Sequence, residues 1–301
     1  MFVASTYRTR FAPSPTGKMH MGHARTALVT WLQARKRGGE IVMRIEDIDA
    51  PRVVQGAAEA ICGDHRWLGL DWDEGPLYQS SRGPAYERAL AELERAGLIY
   101  PCSCSRKEIA LIASAPHGDE GPRYPGTCRD GVTNPDRAPA LRFRFEDPSP
   151  GFEDALHGWF PEGKVGGDFV VRRADGLWAY QLAVVVDDAD TGVTEVIRGD
   201  DLLSSTPRQI ALYRALGYEP PRFAHVGLVL DSAGKRLSTR HGATSLDALR
   251  ALGRSPEDII GELACSLGLT ETTAPIRAQD LISSFELGKI SRASFTWNAK
   301  G

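Results

Sequence analysis

The 301-residue sequence predicts an α/β protein. It should hold a parallel sheet with crossover helices, interrupted by a loop-rich insertion and followed by a helical C-terminal part. Three observations predict this. Strand and helix signals alternate through residues 1–100; proline, glycine, serine and cysteine then crowd the chain from Pro101 to Gly151; and the strand–helix alternation resumes near Thr194.

In order, Thr6 to Phe11 reads as a short strand, Ala24 to Arg37 as a helix stopped by Gly38-Gly39, and Glu40 to Ile45 as a strand. Val53 to Leu68 and Pro84 to Ala96 read as helices, the second with Tyr86, Leu90 and Leu93 on one stripe. Ser105-Arg-Lys-Glu108 is a capping box opening a helix. Ala140 to Phe145 and Asp168 to Val171 are strand-like runs within the insertion. Thr194 to Ile197 reads as a strand. The next helix opens at Thr206, with Thr206 as cap, Pro207 at the first helical position and Gln209 reaching back; Gly217 stops it. Phe223 to Leu230 is a further strand, a basic loop follows, and Ser255-Pro256-Glu257-Asp258 opens a helix. The expected organisation is a sheet-forming first half over residues 1–100, an insertion over 101–186, a second sheet-forming half over 187–230, and the basic loop with its helical region over 231–301.

Hydrophobic residues make up 42% and charged residues 25%, enough apolar material for a sizeable core. No apolar run approaches a bilayer span and no signal peptide is visible, so a cytoplasmic protein without a membrane partner is expected. The net charge of −3 argues against binding nucleic acid through the whole surface and leaves that work to local patches. The five cysteines argue against a disulfide framework.

Three segments carry chemistry. Arg10-Phe-Ala-Pro-Ser-Pro-Thr-Gly-Lys-Met-His20-Met-Gly22-His23 lies between a strand and a helix, where backbone N–H groups and the positive helix end face an anion. Gly17 and Gly22 admit a flat ligand, and His20 and His23 can donate to phosphate oxygens. Arg10, Glu46 and Arg198 fall at the carboxyl ends of expected parallel strands, where open α/β sheets bind ligands. Two arginines and a glutamate suit a ligand with two carboxylates and one ammonium. Cys102, Cys104 and Cys128 suit a structural zinc whose fourth ligand is His117 or Tyr124. Cys62 and Cys265 read as core.

The segment Arg10 to His23 resembles the signature of class I glutamyl-tRNA synthetases, with His20-Met21-Gly22-His23 in the place of the HIGH element. Arg44-Ile-Glu46-Asp-Ile-Asp49, Tyr180-Gln181-Leu182-Ala183 and Ile197-Arg198-Gly199-Asp200-Asp201-Leu202 match the family in the same order. The resemblance implies a Rossmann-type catalytic domain. It also implies a ligase that joins L-glutamate to ATP (with Mg²⁺) as glutamyl-adenylate, with His20 and His23 catalytic.

It further implies that Arg10, Phe11, Ala12, Pro13, Ser14, Glu46, Tyr180 and Arg198 bind glutamate: Arg10 on the side-chain carboxylate, Glu46 on the amino group, Tyr180 and Arg198 on the remaining polar groups. ATP falls to His20, Gly22, His23, Arg236, Thr239 and Arg240. Gly234-Lys-Arg236-Leu-Ser-Thr239-Arg240 is similar to the KMSKS loop, but threonine stands in place of its second lysine. The resemblance picks Tyr124 as the fourth zinc ligand. The chain ends about 60 residues past Arg240, which makes it similar to the truncated members that load glutamate onto queuosine in the anticodon loop of tRNA(Asp), acting as a monomer. The alternatives are a short enzyme charging tRNA(Glu) and a non-catalytic RNA- or glutamate-binding relative.

Overall fold

The computed structural model describes residues 6–105, 107–109, 123–237 and 245–297. His117, Thr239 and Arg240 lie outside them.

Strand β1 (Arg8–Phe11) leads into helix α1 (Met21–Lys36) and returns as β2 (Glu40–Ile45), parallel to β1. Helix α2 (Ala57–Trp67) and β3 (Glu74–Tyr78) extend the sheet in the same sense, giving the order β1-β2-β3. On the other side of β1 runs β9 (Glu195–Gly199), whose neighbour Thr194 donates its N–H to the Arg8 carbonyl at 2.8 Å. β10 (Arg222–Val226) and β6 (Phe152–Asp154) continue outward in parallel, and β7 (Gly158–Phe160) closes the edge antiparallel to β6. The first strand thus lies between chain segments that wind in opposite directions, the switch point at which open α/β sheets leave a ligand crevice.

Side chains alternate across the strands with period two. Ile197 and Ala224 join a core under α1 and the C-terminal helix α7 (Pro256–Ser266). Val196 and Phe223 join a second core under α3 (Gly83–Arg95), α4 (Tyr180–Asp190) and α5 (Thr206–Ala215). Helices therefore cover both faces, as an α/β fold requires. A separate antiparallel sheet, β4 (Ile99–Cys102), β5 (Ala140–Phe143) and β8 (Phe169–Arg172), carries the insertion. β11 (Val229–Leu230) pairs with β12 (Phe295–Thr296), and α6 (Leu246–Ala251) precedes α7. No described helix is long and apolar enough to cross a membrane.

Several expectations shift. The second helix starts at Ala57, after a 3₁₀ turn over Ala50–Arg52, because Gly56 enters the left-handed region at φ 76° and begins the helix there. Thr206 is no cap. The 3₁₀ segment Asp200–Ser205 runs directly into α5, and the Thr206 hydroxyl accepts from Arg198 at 2.7 Å instead. The expected strand from Phe223 to Leu230 breaks at Gly227, where the C-terminal backbone passes so closely that a Cβ would lie 2.5 Å from the Arg292 carbonyl oxygen. Within the segment read as an insertion, β6 and β7 join the sheet of β9 and β10; strands of three residues carry too little alternation to read. Helix α4 and strand β3 had no expectation. The capping box at Ser105–Glu108 forms as read, and the helix read as opening at Ser255 does so with a capping box of its own, Ser255 with Asp258.

Candidate active site

The loop after β1 is tied to the end of β2: Glu46 donates its backbone N–H to the Pro13 carbonyl at 3.0 Å. This places Arg10 and Glu46 at one sheet edge, where a buried network joins them. Arg10 Nε donates to Asp188 at 3.3 Å, and its Nη1 reaches the Ile197 carbonyl at 3.1 Å, filling the gap between β1 and β9. Arg44 lies between two carboxylates, Asp188 at 2.5 Å and Glu46 at 3.1 Å. Burial alone would raise the Asp188 carboxyl, but Arg44 and Arg10 together hold it below the usual carboxylate range. Burial does raise Glu46, against the pull of Arg44 and Arg10.

Arg198 stands across the cup from Asp188. Its Nη1 donates to Gln209 at 2.7 Å and to the Tyr180 hydroxyl at 3.4 Å. Its Nη2 donates to Thr206 at 2.7 Å and to the Leu202 carbonyl at 3.4 Å, and Nε donates to His225 at 3.1 Å. Tyr180 sits in the field of Arg198, Glu46, Arg10 and Asp188 at once, although burial dominates in raising its phenol. The cup therefore holds three guanidiniums, of Arg10, Arg44 and Arg198, against the carboxylates of Asp188 and Glu46. Its net charge of about +1 complements a dicarboxylic amino acid, which carries −1 at neutral pH.

Beside the cup, His20 caps α1 and turns its ring back so that Nδ1 accepts the Gly22 N–H at 3.1 Å. The proton of the neutral ring then sits on Nε2, a donor. His23 stacks on His20 with centroids 3.8 Å apart, and burial, His20 and the Arg236 guanidinium all hold it neutral. A Cβ on Gly22 would lie 3.0 Å from the His20 ring, so a larger residue there would push the ring by a few tenths of an ångström. Arg236 pairs with Asp201 at the end of β9. The Phe11 side chain is in the core against His65, Ala12 and Pro13 are half-buried, and Ser14 is exposed.

The three cysteine sulfurs lie within 4.8 Å of one another, with Cys104 and Cys128 at 3.5 Å. The Tyr124 hydroxyl lies 3.3 Å from the Cys102 sulfur and 3.7 Å from that of Cys104. Ligands about 2.0–2.3 Å from a tetrahedral zinc stand roughly 3.5–3.8 Å apart, and the Cys104–Cys128 and Cys104–Tyr124 separations are of that size. Burial opposes ionisation of Cys128, but the Tyr124 hydroxyl and backbone N–H groups bring its thiol down to about 6.

This site geometry coincides with sequence likeness. The profile described as "tRNA synthetases class I (E and Q), catalytic domain" matches residues 6–300. The chain belongs to this family. As a class I tRNA synthetase it is a ligase. It is 52% identical to the glutamyl-Q tRNA(Asp) synthetase of Symbiobacterium thermophilum over 94% of this chain and 93% of that one. It is 44% identical to the glutamate–tRNA ligase of Geobacter sulfurreducens, covering 98% of this chain and 64% of that one. Among solved structures it resembles a glutamate tRNA ligase from Elizabethkingia meningosepticum in complex with its amino acid. The TM-score is 0.82 and the identity 28%, over 98% of this chain and 68% of that one.

Sequence reasoning assigned no role to Arg44, Asp188, His225 or Asp154, although Arg44 stands inside a quoted motif, and it gave Gln209 only a capping role. The acidic pair Asp187-Asp188, ending the apolar run Leu182 to Val186, was a readable signal: carboxylates that continue a buried face need cationic partners.

Proposed function

We propose that this synthetase activates L-glutamate with ATP and Mg²⁺ in the absence of tRNA, and transfers it to queuosine in the anticodon loop of tRNA(Asp). The observation that carries the reading is the net positive cup of Arg10, Arg44, Arg198, Asp188 and Glu46 beside the stacked histidines. Arg10 takes the side-chain carboxylate, Glu46 the ammonium, and Tyr180 and Arg198 the remaining polar groups, with the loop from Phe11 to Ser14 alongside. His20, Gly22, His23, Arg236, Thr239 and Arg240 line the ATP. The α-carboxylate attacks the α-phosphorus, pyrophosphate leaves, and a hydroxyl of the cyclopentenediol then attacks the acyl carbon and releases AMP. Positioning and charge stabilisation supply the catalysis. Cys102, Cys104, Cys128 and Tyr124 hold a structural zinc that fixes the insertion. Likeness to proteins named for the queuosine reaction supports the choice of acceptor. The same reading takes the chain to act as a cytosolic monomer.

Two assays test this. Glutamate-dependent ATP–pyrophosphate exchange should proceed without tRNA, and labelled glutamate should pass to tRNA(Asp) only when it carries queuosine. Exchange that requires tRNA(Glu), with charging of its acceptor end, would install the second reading, which the likeness to the Geobacter ligase favours. No exchange under either condition would remove the activity altogether.

A further inference from the structure

Arg198 differs from the other two arginines of the cup in what holds it. Arg10 and Arg44 lean on carboxylates, whereas among the described residues every hydrogen-bond partner of Arg198 is neutral: Gln209, Thr206, Tyr180, the Leu202 carbonyl and His225. His225 is its cross-strand partner in the β9–β10 ladder, so both side chains stand on the face under α5. His225 is fully buried. Its Nδ1 faces Asp154 Oδ2 at 2.5 Å, while Nε2 faces Arg198 Nε at 3.1 Å and the Thr206 hydroxyl at 3.2 Å. Arg198 Nε can only donate, so Nε2 must accept and the ring proton must sit on Nδ1, donated to Asp154. Asp154 is held in turn: its Oδ1 accepts backbone N–H groups of Leu156 at 3.0 Å, His157 at 2.9 Å and His225 at 3.3 Å.

We infer that Asp154 and His225 are positioning residues for the amino-acid site: Asp154 fixes the Nδ1–H tautomer of His225, and His225 with Thr206 grips the Nε–Nη2 edge of Arg198. The guanidinium is thereby oriented without being neutralised. Its two weakest contacts, at 3.4 Å to Tyr180 and Leu202, are the ones a substrate carboxylate exchanges most cheaply. A carboxylate in direct contact with Arg198 would orient it as well but would cancel the charge that attracts the ligand. One neutral ring inserted between the carboxylate and the guanidinium keeps both the orientation and the charge.

This inference rests on the proposed glutamate-binding role of Arg198, and its test separates the two. In Asp154→Asn, the amide oxygen can still accept the backbone N–H groups, while the amide nitrogen faces Nδ1 and forces the ring proton to Nε2, against Arg198. The KM for glutamate in pyrophosphate exchange should rise about 10- to 100-fold, the range expected when a hydrogen bond to a charged group is lost. kcat should change less, and the KM for ATP should hold. His225→Gln, which keeps an acceptor for Arg198, should raise the glutamate KM less than His225→Phe, although all three variants lose stability.

Long-range ¹⁵N–¹H spectra of the wild type should show His225 as the Nδ1–H tautomer, and those of Asp154→Asn should show Nε2–H. An Nε2–H tautomer in the wild type would overturn the inference. So would an unchanged glutamate KM in folded Asp154→Asn, or equal KM values in the Gln and Phe variants. Absence of glutamate-dependent exchange in the wild type would instead remove the proposed function, and the tautomer would still decide the Asp154–His225–Arg198 arrangement.

Discussion

Asp188→Asn removes the carboxylate shared by two arginines of the cup. In the wild type Asp188 receives Arg44 at 2.5 Å and Arg10 at 3.3 Å, and it is almost inaccessible to solvent. Deleting one partner of a buried pair costs about 3–5 kcal/mol, because the remaining charge is left without compensation. Arg44 keeps Glu46 and Arg10 keeps the Ile197 carbonyl, which places the cost toward the lower end. With about 2.1 cal/mol/K of unfolding entropy per residue, 1 kcal/mol shifts the melting temperature of a chain this long by roughly 1.6 °C, so the expected loss is about 5 °C. Differential scanning calorimetry at neutral pH reads it directly. Saturating glutamate should narrow the gap, since the ligand brings carboxylates into the same cup. A change below about 2 °C without ligand would refute the reasoning, because the guanidiniums would then not depend on Asp188 for compensation.

Three further outcomes are expected. His225 and His65 are held neutral chiefly by burial, each down to about 4 from an ordinary 6.5. The unfolded chain takes up protons near 6.5 that the fold refuses, so stability is full above that pH and falls as pH drops toward 4. By pH 5 the loss should be roughly 2 kcal/mol per histidine, read from urea midpoints, and a flat profile between pH 6.5 and 5 would contradict it. Glu46→Gln keeps the shape and loses the charge; the KM for glutamate should rise about 10- to 100-fold, and an unchanged KM would remove Glu46 from the ammonium site. Cys104→Ser should lower bound zinc from about one per chain to near none by elemental analysis, given four ligands in a structural site, and full zinc content would show that other residues hold the ion.

How legible the site was depended on where each residue sits relative to its signal. Arg10, Glu46 and Arg198 close readable strands, and the two histidines stand at a helix start marked by glycine and proline, so local pattern located them. Asp154 ends a three-residue strand and pairs across the sheet with Phe223, an arrangement that neither periodicity nor spacing exposes. Thr206 and Gln209 were readable as a cap, and that local explanation hid the other use: both side chains turn inward to Arg198. His225 lies in an apolar strand, where a lone histidine looks like filler. Local structure was legible because each helix and strand is written in a few consecutive residues. The supporting shell was not, because its members come from β6, β10 and α5 and meet only in three dimensions.

The two halves of the cup divide the work by charge. On one side, Asp188 and Glu46 bind Arg44 so tightly that burial, which disfavours the guanidinium, is outweighed by their combined field. That side is internally balanced and serves as a rigid floor, and Arg10 extends from it across the gap between β1 and β9. On the other side the described hydrogen-bond partners of Arg198 are all neutral acceptors, so the net positive charge of the cup resides there. Preorganised charge acts most strongly where water is excluded and no reorganisation is needed. Under the proposed assignment, the ligand's α-carboxylate meets a guanidinium that is already oriented and has no described carboxylate in hydrogen-bond contact. Arg198 then orients the α-carboxylate that every amino acid carries, and preference for a dicarboxylic substrate falls to Arg10 on the opposite side of the cup.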